Sequence, residues 1–226
     1  MNKEIEISEY SGFCFGVKRA VDMINESLDT SEKPIFCLGE LIHNRIFTDS
    51  LRARGVVFLN SLDTEKICEN GLLFLRAHGT TKQTLELLAE QKIEYVDATC
   101  PYVSKIHKIV ASQPSGTKVF LIGDPAHPEV EGIMSWANGE GRVFSDFDDI
   151  KNAHPDGFLS EEDCILAVQT TYSGAEWTRC KDLIRKFYPN VRVYETICSV
   201  TENRQKKTRE LAQKSDMTVV VGGRNS

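Results

Sequence analysis

The sequence predicts an α/β protein built on mainly parallel sheets. Short runs rich in Val, Ile and Leu recur along the chain, amphipathic stretches of helical period lie between them, and the two alternate in order. Short continuous apolar runs suit strands that are covered on both faces.

In chain order, IEI at 5–7 reads as a first strand. Lys3, Glu4 and Glu6 keep it partly polar and place it at a sheet edge. Val17, Ala20, Val21, Ile24 and Leu28 then mark a helix. Lys18 and Arg19 in its first turn have the wrong sign for the helix dipole, so they read either as a solvated face or as neighbours of something anionic. Strands follow at 34–39, 55–59, 72–77 and 93–97, with a brief helical pattern at Leu85, Leu88 and Ala89. The second half repeats the scheme: strands at 118–123, 142–144, 164–169 and 191–195, and helices around 130–137 and 177–187. A last strand is expected at 217–222. The covering helix that normally follows a buried parallel strand is missing after VVVGGRNS, so the chain reads as a fragment or as ending in a short last unit.

Composition narrows the function. With 33 acidic and 27 basic side chains and a net charge of −6, a general nucleic-acid binder is disfavoured. The sequence contains no apolar run long enough to span a membrane, and MNKEIEISE lacks the apolar core of a signal peptide. Seven cysteines without a close pair point to a reducing compartment, hence to the cytoplasm. Neither the phosphate-binding GxxxxGK[ST] loop nor a GxGxxG fingerprint occurs.

Three cysteines share one local frame. In EISEYSGFC, IEYVDATCP and RVYETICSV an extended run leads through small or polar residues to Cys14, Cys100 or Cys198, and a polar, potentially helical stretch follows. Spacings of 86 and 98 residues suggest a unit used three times: 15–99, 100–197, and 1–14 with 198–226. Strand C-terminal ends converge on the binding crevice of such sheets, and helix N-termini there favour thiolates. Three thiolates repel unless a metal or an iron–sulfur cluster compensates them. Zinc with a histidine as fourth ligand and a cluster with one cysteine-free iron both remain open at this point. The other cysteines, Cys37, Cys68, Cys164 and Cys180, lie in apolar or amphipathic runs and read as structural.

Three of the five histidines, His43, His78 and His127, lie in loops after strands and point to the same crevice, where imidazole suits phosphate. The plain alternative is a set of loop histidines satisfied locally. Glu129, just after Pro128 at a helix start, is either a proton relay or an ordinary helix N-terminal charge. Hydroxyls, amides and glycines at strand ends in VQTTYSG, CSVTENRQ and GGRNS suit an anionic ligand.

GFCFGV, IHN, RAHG, DATCP, AHPEVEG, QTT, TIC, TENRQ and the final GGRNS, in this order, resemble the 4-hydroxy-3-methylbut-2-enyl diphosphate reductase family over the whole chain. The resemblance implies three α/β units around a central [4Fe–4S] cluster held by Cys14, Cys100 and Cys198. It implies reductive removal of the allylic hydroxyl of (E)-4-hydroxy-3-methylbut-2-enyl diphosphate by two electrons and two protons. The products would be isopentenyl and dimethylallyl diphosphate, the last step of the non-mevalonate isoprenoid pathway, with reduced ferredoxin or flavodoxin as donor. Carried over residue by residue, His43, His78 and His127 hold the diphosphate, Thr170 lies near the substrate hydroxyl and Glu129 delivers protons. Ser226 opens a Ser-Ser-Asn diphosphate-binding run, and Asn44, Thr171, Thr201 and Asn203 are supporting positions. Phe13 and Phe15 would shield the sulfur of Cys14, and Gly12 and Gly16 would allow close backbone approach. The family continues beyond Ser226, so a C-terminally truncated member with an incomplete third unit is expected. A zinc-stabilised phosphate-binding module without catalysis is the alternative.

Overall fold

The computed structural model describes residues 4–64, 67, 71–154 and 157–222. Two four-stranded sheets form, both wholly parallel. The first contains β1 (Ile35–Leu38), β2 (Val57–Leu59), β3 (Leu72–Leu75) and β4 (Tyr95–Asp97), in the order β2-β1-β3-β4. The second contains β5 (Lys118–Ile122), β6 (Gly141–Phe144), β7 (Cys164–Val168) and β8 (Arg192–Val193), in the order β6-β5-β7-β8. Both sheets therefore have the same winding: the chain goes outward once, then crosses to the other side of its first strand.

The central strands read as continuous apolar runs because both faces are covered. One face of the first sheet packs Cys37 and Phe74 against Ala20 and Ile24 of α1 (Phe15–Thr30) and Leu51 of α2 (Arg45–Ala53). Its other face packs Phe36, Leu73 and Leu75 against Leu88 of α3 (Lys82–Glu90). In the second sheet Val119, Leu121, Ile165 and Ala167 meet α4 (Pro101–Ala111) and α5 (Pro128–Met134). The opposite face buries Leu166 and Val168 against Ile150 of α6 (Phe147–Ala153) and Trp177, Cys180 and Ile184 of α7 (Gly174–Phe187). Each fully buried large side chain contributes about 1.5–3 kcal/mol of burial free energy. Cys37, Cys164 and Cys180 serve this packing. Burial pushes their thiols up to about 12, 11 and 12, which keeps them unreactive.

Two expected strands do not form. Residues 5–7 and 217–222 carry no strand pairing, and Ile5, Ile7, Met217, Val219, Val220 and Val221 are exposed. β-branched composition favours a strand only where a neighbour supplies the ladder, and neither segment has one among the described residues. Where a third unit was expected, the described residues thus show α8 (Ser199–Lys214) without a further sheet. The N-terminal segment still lies along α8: Arg204 donates to the carbonyls of Tyr10 (2.9 Å) and Gly12 (2.8 Å), and Lys214 pairs with Glu6 at 2.8 Å. Helices α2 and α6 were not expected. Cys68 and Ser226 lie outside the described residues.

Candidate active site

In each sheet the winding changes direction between the first strand and the third, so the loops after those strands open onto a common crevice. His43 and His127 are each five residues past the first strand of their sheet, β1 and β5. His78 follows β3, and Thr170 follows β7. The imidazole centroids of His43, His78 and His127 are 4.1, 5.5 and 5.4 Å apart pairwise. One ring nitrogen from each lies within 4.8 Å of the others. Both ring nitrogens of His43, and Nδ1 of His78, are buried without a hydrogen-bond partner. Buried polar groups rarely stay unpaired, so the rings of His43 and His78 leave donors or acceptors open to a ligand.

That ligand is better an anion than a cation. Nδ1 of His127 caps α5 by accepting the N–H of Glu129 at 3.1 Å. In the neutral ring the proton then sits on Nε2, which is a donor with no lone pair for a metal. Arg76, half-buried in RAHG, adds fixed positive charge that acts on all three imidazoles. Burial first, and then the positive charge of its neighbours, takes His78 down to about 3; burial also lowers His43 and His127. The site is therefore a set of neutral N–H donors beside one permanent cation. Sequence reasoning missed Arg76, because a charged residue within a motif reads as solvated.

Glu129, two residues after His127 on α5, is almost fully buried at 2% exposure. Its Oε1 accepts the backbone N–H of Thr170 at 2.7 Å, and its Oε2 accepts the Thr170 hydroxyl at 2.8 Å. Burial raises its pKa, and the two Thr170 bonds oppose that shift. It therefore holds a proton to higher pH than an ordinary glutamate.

Among the described residues, side chains cap five of the eight helices: Asn44 for α2, Thr81 for α3, His127 for α5, Asp146 for α6 and Ser173 for α7. The other three, α1, α4 and α8, begin at Cys14, Cys100 and Cys198 and have no side-chain cap bond. Their first-turn N–H groups and dipole ends are left to stabilise negative charge on sulfur. Backbone bonds hold two of these cysteines against the histidine and threonine loops. Cys100 N–H donates to Ala77 O, and Cys198 N–H to Thr170 O, both at 2.9 Å. Burial pushes the Cys100 thiol up, and Cys14 and Cys198 lie close enough to raise it further, against the N–H groups of Tyr102 and Val103. A Cβ on Gly16 would sit 2.5 Å from the Cys100 sulfur, so that glycine is required where the segments approach. Gly12 instead has a positive φ of 83° and open space around it.

Cys14, Cys100 and Cys198 thus stand at uncapped helix starts, the first and last near enough to act on the thiol of Cys100. They do not assemble the single-ion site of the zinc alternative. The three histidines alone bring ligand atoms that close together among the described residues, and no cysteine joins them. Lys18 is exposed, whereas Arg19 donates to the carbonyls of Thr99 (3.2 Å) and Asp97 (3.4 Å), tying α1 to the loop before Cys100. Phe13 and Phe15 do not shield Cys14 as expected. They are 49% and 64% exposed, and Phe13 turns edge-on to Phe47. Asn44 acts as a cap, accepting from Phe47 N–H at 3.0 Å. Thr171 is exposed and accepts from Gln169. Thr201 and Asn203 lie on α8, half-buried and exposed respectively.

The family model of the LytB protein matches residues 5–226. The chain belongs to the LytB family. A 4-hydroxy-3-methylbut-2-enyl diphosphate reductase of Alkaliphilus oremlandii is 38% identical over 225 residues, covering 99% of this chain and 78% of that protein. The Campylobacter hominis reductase of the same name is 36% identical with the same coverage. Among solved structures, the Plasmodium falciparum (E)-1-hydroxy-2-methyl-but-2-enyl-4-diphosphate reductase superposes with a TM-score of 0.86 at 28% identity. That match covers 95% of this chain and 67% of the other. A structure described as (E)-4-hydroxy-3-methyl-but-2-enyl diphosphate reductase, the terminal enzyme of the non-mevalonate pathway, gives 0.76 at 35% identity, over 98% and 78%. The two parallel sheets of this LytB family chain thus belong to a known α/β architecture. None of its described helices is long and apolar enough to cross a membrane.

Proposed function

We propose that this LytB family member reductively dehydroxylates (E)-4-hydroxy-3-methylbut-2-enyl diphosphate, the compound that its relatives are named as reductases of. Atoms and charges balance: the allylic alcohol, two electrons and two protons give water and isopentenyl or dimethylallyl diphosphate. Reduced ferredoxin or flavodoxin supplies the electrons in the cytoplasm.

The observation that carries this reading is the donor cradle of His43, His78 and His127, with its unpartnered buried nitrogens beside the Glu129–Thr170 pair. The imidazoles take the diphosphate through N–H donation. That places the other end of a short substrate toward Thr170 and the cysteines. Cys14, Cys100 and Cys198 would hold a [4Fe–4S] cluster. When bound, it supplies single electrons and one iron without a cysteine ligand. Glu129 keeps its proton because it is buried, and passes it to the Thr170 oxygen as the Oε2–Oγ1 bond reverses direction. Thr170 in turn donates its hydroxyl proton to the leaving oxygen. The loops that carry His43 and His78 are buried or half-buried and limit water at that end, whereas residues 124–126 before His127 are exposed.

The test is anaerobic turnover by the reconstituted chain with the diphosphate alcohol and a chemical reductant. Both isomeric C5 diphosphates are expected as products. A coloured, iron-loaded chain that binds the substrate but forms neither product would refute the assignment.

A further inference from the structure

Arg76 has no assigned role, yet its position is unusual for a guanidinium. Its Nε donates to Gly79 O at 3.3 Å, inside the turn that carries His78. Its Nη1 lies 3.2 Å from where a Cβ on Gly39 would stand, in the loop that leads to His43. The guanidinium is thus bracketed by the backbones of both first-sheet histidine loops, at the point where that sheet's winding reverses. Gly39 and Gly79 both have positive φ, 72° and 83°, and the first leaves room for the arginine. Arg76 is half-buried; among the described residues no carboxylate lies within ion-pair distance of it, and the charge of Glu131 acts on it only from farther away. Arginines removed from water are normally paired, because an uncompensated charge there is costly. Nε is engaged, so the two terminal nitrogens remain as a planar fork suited to anionic oxygens.

We propose that Arg76 is a specificity-determining residue of the histidine cradle, supplying the fixed charge that selects a diphosphate over a monophosphate. This rests on the diphosphate reading of the cradle. The imidazoles donate hydrogen bonds but carry little charge near neutral pH, and burial lowers all three. A permanent cation beside them favours the ligand with more negative charge, and its fork can engage oxygens that a monophosphate lacks.

The test is calorimetric titration of the intact chain with inorganic pyrophosphate and, separately, inorganic phosphate. Wild type, Arg76→Gln and Arg76→Lys are compared, with His78→Gln as a control for the site. R76Q is expected to lose about ten-fold in pyrophosphate affinity, equivalent to roughly 1.4 kcal/mol, with phosphate affinity changed less than three-fold. R76K should recover most of the loss, and unchanged melting temperatures would show that the fold is intact. Equal loss of both anions, or wild-type pyrophosphate affinity in R76Q, overturns the role of Arg76 and leaves the cradle standing. Absence of pyrophosphate binding in wild type, or binding that His78→Gln does not weaken, overturns the cradle reading and this inference with it.

Discussion

Diphosphate binding should draw a proton onto the histidine cradle, and His78 is where the effect is largest. Burial, then positive charge on His43 and His127, then Arg76, hold its pKa near 3 in the free chain. A bound diphosphate offsets the repulsion and accepts the N–H. If the complex restores the ordinary value of about 6.5, the bound state takes up protons between those two values. Affinity must then rise as pH falls. For that single histidine, going from pH 8 to 5.5 strengthens binding about ten-fold, or roughly 1.4 kcal/mol. The ligand titrates over the same range, so the comparison is between wild type and His78→Gln, for which the ligand's contribution is common. The ratio of wild-type to variant affinity, measured by calorimetry at each pH, should grow about ten-fold on acidification. A ratio that stays flat would show that His78 binds as a neutral donor, and the linkage reasoning would be wrong.

Further outcomes follow from single contacts. Gly16→Ala should displace the Cys100 sulfur, because the added methyl would lie 2.5 Å from it; visible absorbance after iron–sulfur reconstitution should fall sharply while far-UV circular dichroism is kept. Wild-type absorbance in that variant would contradict the close approach. Thr170→Val keeps the backbone bond to Glu129 but removes the hydroxyl bond, and should cost about 1–3 kcal/mol in urea unfolding. An unchanged midpoint would argue that the pair is not formed in solution. The free chain should also be acid-labile. His78 stays neutral when folded, so the unfolded chain binds more protons below pH 6.5, and stability falls as pH drops toward 3. His78 alone accounts for about 2 kcal/mol at pH 5. Saturating pyrophosphate should offset part of that loss.

Much of the frame was legible because it rests on burial. PIFCLG, LLFLRA, KVFLIG and CILAVQ became the four central strands, since a strand covered on both faces leaves no polar alternation to confuse the reading. The equivalence of Cys100 and Cys198 also showed in the sequence, because each follows the last strand of a sheet and opens a helix. Helices α2 and α6 were illegible because they are short: α2 buries Thr48 and Leu51, and α6 only Ile150, too few positions to set a period. IEI and MTVVVG misled for the opposite reason. Their composition favours strands, but pairing depends on a neighbour that local sequence does not encode. In the site, His43, His78 and His127 could be placed at strand ends, whereas their tautomers and the reach of Arg76 depend on three-dimensional neighbours. Asn44 looked like a site residue because caps and binding residues draw on the same amides and hydroxyls. The exposure of Phe13 and Phe15 could not be read from their proximity to Cys14.

The most direct test of the account is iron and acid-labile sulfide analysis after anaerobic reconstitution of wild type and of Cys14→Ser, Cys100→Ser and Cys198→Ser. About four irons and four sulfides per wild-type chain, with each serine variant losing most of both, are the expected results. Wild-type content in any of the three variants, or a colourless chain that holds zinc and no sulfide, would contradict it.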